Sequence, residues 1–472
     1  MKKMMLFVLA LCLCFTAIGA AFAETAAAGA TETETSAAEA PAEEAPKAEM
    51  TAEELYQAGS EAFDAKDYGK AMEYFLLAAD QGDGEAVFNI AVMYIRGYGV
   101  EQDYGKAFEY FQKAADQGDA TALNNLGYMY EEGLGVEQDY ARALEYYRQS
   151  ADLNDVYGNA SIGDMYRCGK GVEQDLIKAA EYFKKALEQG IDAPEILQAV
   201  NELAVSLRQA GLDAFDTEDY GKAMEYYQLA ADLGNAEGLR GIGYLYQYGL
   251  GVEQDCDKAL EYYQLAADQG DTTAFVNIGA TYEDGFGVEQ DYGKALEYYQ
   301  KAADLGDADA WGCIGCLYDN GLGVEQDYGK ALEYYQKAAD LGCTWVLCNI
   351  GLLYDEGKGV EQDYAKALEY YQKAADLGDA MSINNLGFLY ERGAGVEQDY
   401  AKAVEYYTLA AEQGEPAGWF DLGECCYEGH GLEKDLDKAA EYYRKALDAG
   451  YEPDEEEQAR LKEVLGDEYQ QK

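Results

Sequence analysis

Four thiols fall in one stretch of the chain: Cys313-Ile-Gly-Cys316, then Cys343 and Cys348. Two close pairs of this kind can hold a tetrahedral zinc ion or close disulfides. A third reading competes with both. Where the chain repeats itself, Cys313 takes the place of Asn277 and Cys316 that of Ala280, so the thiols also read as small side chains on a helix. Cys168, Cys256, Cys425 and Cys426 complete a set of eight beyond residue 23, an even number that permits disulfides in an exported protein.

Other chemistry has little to stand on. His430 is the single histidine, so no Ser-His or Cys-His couple can be assembled without it. It occupies a loop position held by Leu, Lys or Ala in sister segments and reads as exposed filler. Asp and Glu number 91, so no pair stands out as the acid and base of a glycosidase. GVEQDYGKA has the look of a phosphate loop, but its Gly-to-Gly-Lys spacing is one residue too long. Ala follows the Lys, and no strand precedes the segment. The GxGVEQD loops also lack the alternating Asp and Asn ligands of a calcium loop. The expectation is a chain without catalysis and without a cofactor.

The elements that position these residues repeat. GVEQD is written eight times, starting at residues 99, 135, 171, 251, 287, 323, 359 and 395. Asp67, Asp219 and Asp435 extend its Asp series to 11 units, spaced by 36 residues within each run. Around Asp291, Ala274, Ile278 and Tyr282 form one amphipathic stripe, and Ala295, Tyr299, Ala302 and Gly306 form a second. Between the stripes lies EDGFGVEQ, with two glycines. Each unit is therefore a helical hairpin, A then B, too small to bury its own stripe, and stacking of neighbours supplies the core. The fold class is all-α: an α/α superhelical solenoid of 11 helical hairpins in two stacked blocks. Asp stands where the N-cap of helix B belongs. Gly supplies the positive-φ turn that ends helix A, and Val plugs the hairpin. Glu-Gln has no evident packing reason to recur.

The two blocks follow from an interruption, since Asp175 to Asp219 is one period plus eight residues. The first and fifth units, AGSEAFDAKDYGKAMEYF and AGLDAFDTEDYGKAMEYY, lack the long loop. The fourth and eleventh end on DLIKAAEYFKKALEQG and DLDKAAEYYRKALDAG, each followed by a proline, Pro194 or Pro453. Residues 51–202 thus read as starter, three repeats and terminator. Residues 203–472 read as starter, six repeats and a C-terminal capping helix, with the seam near 190–205. Ahead of both, residues 1–23 read as a signal peptide: MKK, an apolar run, and Ala21-Phe22-Ala23 as the cleavage site. Residues 24–50 are an acidic Ala/Glu/Thr tether that cannot build a core. The expected product is exported, to a periplasm or beyond, after cleavage near Ala23.

The unit AFVNIGATYEDGFGVEQDYGKALEYYQKAADLGD resembles the Sel1-like repeat in its Ile-Gly, Tyr, Gly-x-Gly-Val, Asp, Lys-Ala, aromatic pair and Ala-Ala. The likeness recurs from about residue 85 to 447, while the two starters are similar to tetratricopeptide hairpins. Ala91 replaces the helix-A Gly, Cys426 replaces the Tyr, and Tyr-Tyr or Tyr-Phe stands for the family's Trp-Tyr. The resemblance implies a superhelix and an adaptor that holds other proteins. Its secreted cysteine-rich members imply an alternative, a hydrolase-like protein that binds β-lactams or peptidoglycan fragments.

In helical-hairpin solenoids helix A usually lines the concave face. Two residues before its Gly stands Asn89, Asn125, Asn277, Asn349 or Asn385. Asn is a poor helix former, so its recurrence in mid-helix implies a role. Either it bonds stacked hairpins together, or it forms an amide ladder for a peptide backbone. Three residues on, the side chain varies: Tyr128, Asp164, Tyr244, Ala280, Cys316, Leu352, Phe388, Glu424. Asn125, Tyr128, Asn277, Asn349, Leu352, Asn385 and Phe388 are the expected ligand-binding set. The net charge of -56 repels polyphosphate and anionic membranes. It leaves a protein or peptide partner, basic in character, with no nucleic acid, no membrane insertion and a monomeric chain.

Overall fold

The computed structural model describes residues 50–466. The expected signal peptide, and the expected tether up to residue 49, lie outside the described residues. Among the described residues all regular structure is helical, in 23 helices from Ala52–Asp64 to Glu455–Leu465. The first 22 pair as eleven hairpins, and the last is the expected C-terminal helix, started by a capping box of Asp454 and Glu457. The fold is an all-α solenoid.

Capping residues set the helix boundaries. In every hairpin the Asp before helix B accepts a backbone N–H of that helix's first turn, from Asp67 to Asp435. Each such cap contributes about 1 kcal/mol. The helix-A end differs from expectation in one respect. In the seventh hairpin the left-handed C-cap is Gly285 at φ 66°, not the glycine of GVEQD. Gly287, at φ 72°, meets the preceding hairpin instead, since a Cβ there would fall on Cys256, the first residue of that hairpin's helix B.

The glutamine of GVEQD has a structural reason after all. In all eight copies its Nε2 donates to the carbonyl seven residues back, at 2.6–2.9 Å. Those carbonyls are among the last four of helix A, which have no partner within the helix. The neighbouring glutamate is exposed in every copy, and nothing in the structure explains it.

Within each hairpin the two helices close on one aromatic ring, Phe75, Phe111 and Phe183 in the first, second and fourth and a tyrosine in the others. Tyr299 is 1% exposed and packs on Gly279, where a Cβ would stand 2.6 Å from its ring. Ala295, Ala302 and Ile278 complete the core of that hairpin. Glycine here serves close approach, not a special backbone angle.

The chain divides into two compact units within the sixth hairpin. One runs to Leu245 with residues 249–253, and the other takes Tyr246–Tyr248 and continues from Gln254. Inside the first, the expected seam near 190–205 lies largely within one helix of 23 residues, Pro194–Asp216. Ile196, Val200 and Leu203 of its first half pack with Ala179, Phe183 and Ala186, and Gly211 of its second half receives Tyr227. Terminator and second starter are thus fused. The expected boundary at 202/203 falls inside this helix.

Candidate interaction surface

Neighbouring A helices touch through polar side chains one register off the expected asparagines. Asn124, 2% exposed, accepts from Ser161 Oγ of the next hairpin at 3.1 Å. Asn384, 8% exposed, donates to Asp421 Oδ2 at 2.8 Å. The expected asparagines divide between their own helix and the neighbouring one. Asn125 is buried and spends its amide on Thr121 O of its own helix, at 2.9 Å. Asn385 donates to the Cys348 sulfur of the preceding hairpin at 3.8 Å, and Asn277 and Asn349 are partly exposed.

The varied position lies beside them. Phe388 is 40% exposed with the Arg392 guanidinium 5.0 Å over its ring. Leu352 is half-buried against the cluster around Ile350 and Tyr371. Tyr128 is half-buried, and burial first, then Glu132 and Glu131, pushes its hydroxyl up to about 12.

Four residues beyond the helix-A Gly stands an acid that sequence reasoning passed over. Tyr147, Tyr299, Tyr335, Tyr371 and Tyr407, the second of each tyrosine pair, donate to Glu131, Glu283, Asp319, Asp355 and Glu391 at 2.6–3.4 Å. The spacing of 16 residues is the same each time and was the available signal. Some of these acids also meet a nitrogen-bearing side chain: Lys170 Nζ lies 2.6 Å from Glu131, and His430 Nδ1 lies 3.4 Å from Glu391. His430 also stacks on Tyr400 at 4.4 Å, so it is not simply exposed filler.

The first tyrosine of each pair does different work. Tyr298 stacks on Tyr282 with planes 8° apart, and Lys294 and Lys301 lie 4.6 and 4.4 Å over the two rings. Tyr354 and Tyr370 repeat the arrangement with Lys366 and Lys373. Each such contact is worth about 0.5–1 kcal/mol where exposed. The repeat lysines are thereby held on the tyrosine stacks.

All eight described cysteines are free thiols. Cys313 and Cys316 are partly exposed, while Cys343 and Cys348 are buried. Burial pushes Cys343 up to about 12 and Cys348 up to about 11, and raises Cys313 and Cys316 as well. Tyr335 donates to Cys316 Sγ at 3.4 Å. These thiols are held protonated, unlike the thiolates that attack substrates or bind metal. Among the described residues no group of three His, Cys, Asp or Glu is placed to hold a metal ion.

The Sel1 repeat model matches eleven successive segments: 50–83, 84–119, 120–155, 157–191, 198–235, 236–271, 276–307, 312–343, 347–379, 380–415 and 420–451. The chain belongs to the Sel1-repeat family. Among solved structures, it is similar to a protective antigen of uropathogenic Escherichia coli displaying an SLR fold. That likeness has 30% identity and a TM-score of 0.56, and covers 89% of this chain and 92% of the other. A Sel1 repeat protein from Oxalobacter formigenes is 32% identical over 51% of this chain and 99% of its own, with a TM-score of 0.47. The cysteine-rich protein B of Helicobacter pylori is 27% identical over 27% of this chain and 92% of its own, with a TM-score of 0.23. No curated protein matches the sequence. Five of the Sel1 hairpins share the Gly–Tyr–acid core and vary at the residue after the Gly.

Proposed function

We propose that this Sel1-repeat chain is an exported scaffold that binds a protein or peptide partner on its helix-A face, without catalysis. The observation that carries the reading is the contrast on that face. The tyrosine-held acids recur at fixed register, while the residue after the Gly changes, with Tyr128, Leu352 and Phe388 at least partly exposed and Asp164 buried. A fixed frame beside a varied strip suits partner selection in solenoids. The acidic rungs and the net charge of -56 favour a basic partner and disfavour nucleic acid. No described helix is long and apolar enough to cross a membrane. The raised thiols give the hydrolase-like alternative no activated nucleophile. Export rests on residues 1–23, and the mature chain is expected to act as a monomer.

A photo-crosslinking amino acid placed in the full chain in its own cell tests this reading. Positions 352 and 388 are compared with positions 333 and 369, exposed on helix B. Discrete protein adducts at the first pair and none at the second support the proposal. Adducts only at the second pair, or none at either, overturn it. N-terminal sequencing of the recovered chain should begin at Glu24, and an intact Met1 refutes export.

A further inference from the structure

Asp421 takes the register position that asparagine holds in other hairpins, and its surroundings accept hydrogen bonds without supplying a charge. Asn384 Nδ2 donates to one of its oxygens at 2.8 Å. The carboxylates facing it are Glu391 from the tenth hairpin, Glu424 from its own helix, and Glu457 from the last helix. Each of those is already engaged. Glu391 receives Tyr407 and faces His430. Glu424 receives Tyr443 and Arg460. Glu457 receives Tyr451 and the Asp454 N–H. Among the described residues Asp421 has no cation in contact, and the one hydrogen bond to its carboxylate comes from the Asn384 amide. Beside it, the amide oxygen of Asn384 is buried and accepts nothing, although the side chain is more than nine-tenths buried. An orphaned acceptor in that position is costly unless a donor arrives.

We propose that the face formed by helices Ala380–Arg392 and Pro416–Glu428 binds one primary ammonium, a lysine side chain of the partner, between the Asp421 carboxylate and Asn384 Oδ1. An ammonium offers three donors and no acceptor, which matches a site made of acceptors. Its charge supplies what Arg460 gives Glu424 of the same helix. The carboxyl itself is pushed up to about 7, by burial first and by Glu391, Glu424 and Glu457. The ammonium therefore displaces a proton that the free chain holds near neutrality. This inference rests on the scaffold reading and names one chemical group that the partner must bring.

The test follows the Asp421 carboxyl carbon by NMR in the full mature chain with labelled aspartate, assigned by its loss in Asp421→Asn. The probe is a blocked Gly-Gly-Lys-Gly-Gly peptide at constant ionic strength. A norleucine version, an arginine version and an unblocked pentaglycine serve as arms. The titration midpoint should fall by at least one unit with the lysine peptide, and Asn384→Ala should weaken that binding at least fivefold. Norleucine should leave the midpoint unmoved. A free amine acting equally well from pentaglycine would assign the site to a chain terminus and overturn the lysine. No movement with lysine up to tens of millimolar, or equal movement with norleucine or arginine, overturns the ammonium site. The crosslink at 352 lies on the ninth hairpin and is read with Asp421 intact, so it judges the scaffold reading separately from the peptide titration.

Discussion

Replacing Gly279 by Ala probes the packing rule that makes these hairpins. The added Cβ would stand 2.6 Å from Cε1 and 2.7 Å from Cδ1 of Tyr299. The ring cannot retreat easily, because it is 1% exposed and its hydroxyl is bonded to Glu283 at 2.6 Å. Overpacking of this kind costs about 1–3 kcal/mol, and the gain in helix propensity from Gly to Ala offsets up to about 1 kcal/mol. A net loss of about 1–2 kcal/mol follows, roughly a 5–30-fold fall in the local closed-to-open ratio. The second hairpin shows how the clash is avoided. There Ala91 replaces the glycine, the ring is Phe111 with no hydroxyl to hold, and Ile95 stands where the acid would be. Both Ala91 and Phe111 are fully buried. The triple change Gly279→Ala, Tyr299→Phe, Glu283→Ile should therefore recover most of the loss. Hydrogen exchange is the assay, read locally over Thr272–Asp284 and Tyr292–Asp304, since a long array need not unfold in one step. Unchanged protection in the single variant, or no recovery in the triple, refutes the reasoning.

Other expectations follow the same geometry. Gln326→Ala removes the donor to Asp319 O and should loosen the end of Ala308–Asn320 by about 1 kcal/mol in local exchange, while exposed Glu325→Ala should change nothing measurable. Asp291→Ala should cost about 1 kcal/mol at the start of Tyr292–Asp304, and unaltered exchange there would contradict the capping role. Asp421, whose folded carboxyl is raised to about 7 from an ordinary value of 3.8, binds its proton more tightly folded than unfolded. Stability of the eleventh hairpin should accordingly fall as pH rises from about 4 to 7 and level off above. After correction for intrinsic exchange rates, protection of Pro416–Glu428 should be higher at pH 5 than at pH 8, and Asp421→Asn should flatten the difference.

The parts of the fold set by short-range chemistry were legible in the sequence. Asp caps, positive-φ glycines and the two apolar stripes announce themselves within a few residues, although the glycine that ends helix A of the seventh hairpin is Gly285 and not the one in GVEQD. What escaped depends on chain segments meeting across a turn. The Gln cap joins the two ends of a loop whose path the composition does not reveal. The tyrosine and its acid lie 16 residues apart, on different helices, so neither local periodicity points to the other. Two adjacent asparagine registers could not be told apart, since Asn385 does reach Cys348 of the preceding hairpin. In mid-helix Asn125 can turn back onto Thr121 O, and the bridge to the next hairpin falls instead to its buried neighbour, Asn124. At the seam, Pro194 starts a helix whose pattern runs unbroken into Gly211, and the sequence offered no stop between them.

The central claim is that the varied strip on the helix-A face, not the repeated GVEQD edge, recognises the partner. It is tested most directly by titrating the partner identified from the crosslinks against two variants of the mature chain. One carries Leu352→Ser with Phe388→Ser, and the other carries Glu289→Gln, Glu325→Gln and Glu361→Gln. The account predicts at least tenfold weaker binding for the first and unchanged binding for the second at physiological salt. Binding that survives the strip changes and is lost with the edge glutamates would contradict it.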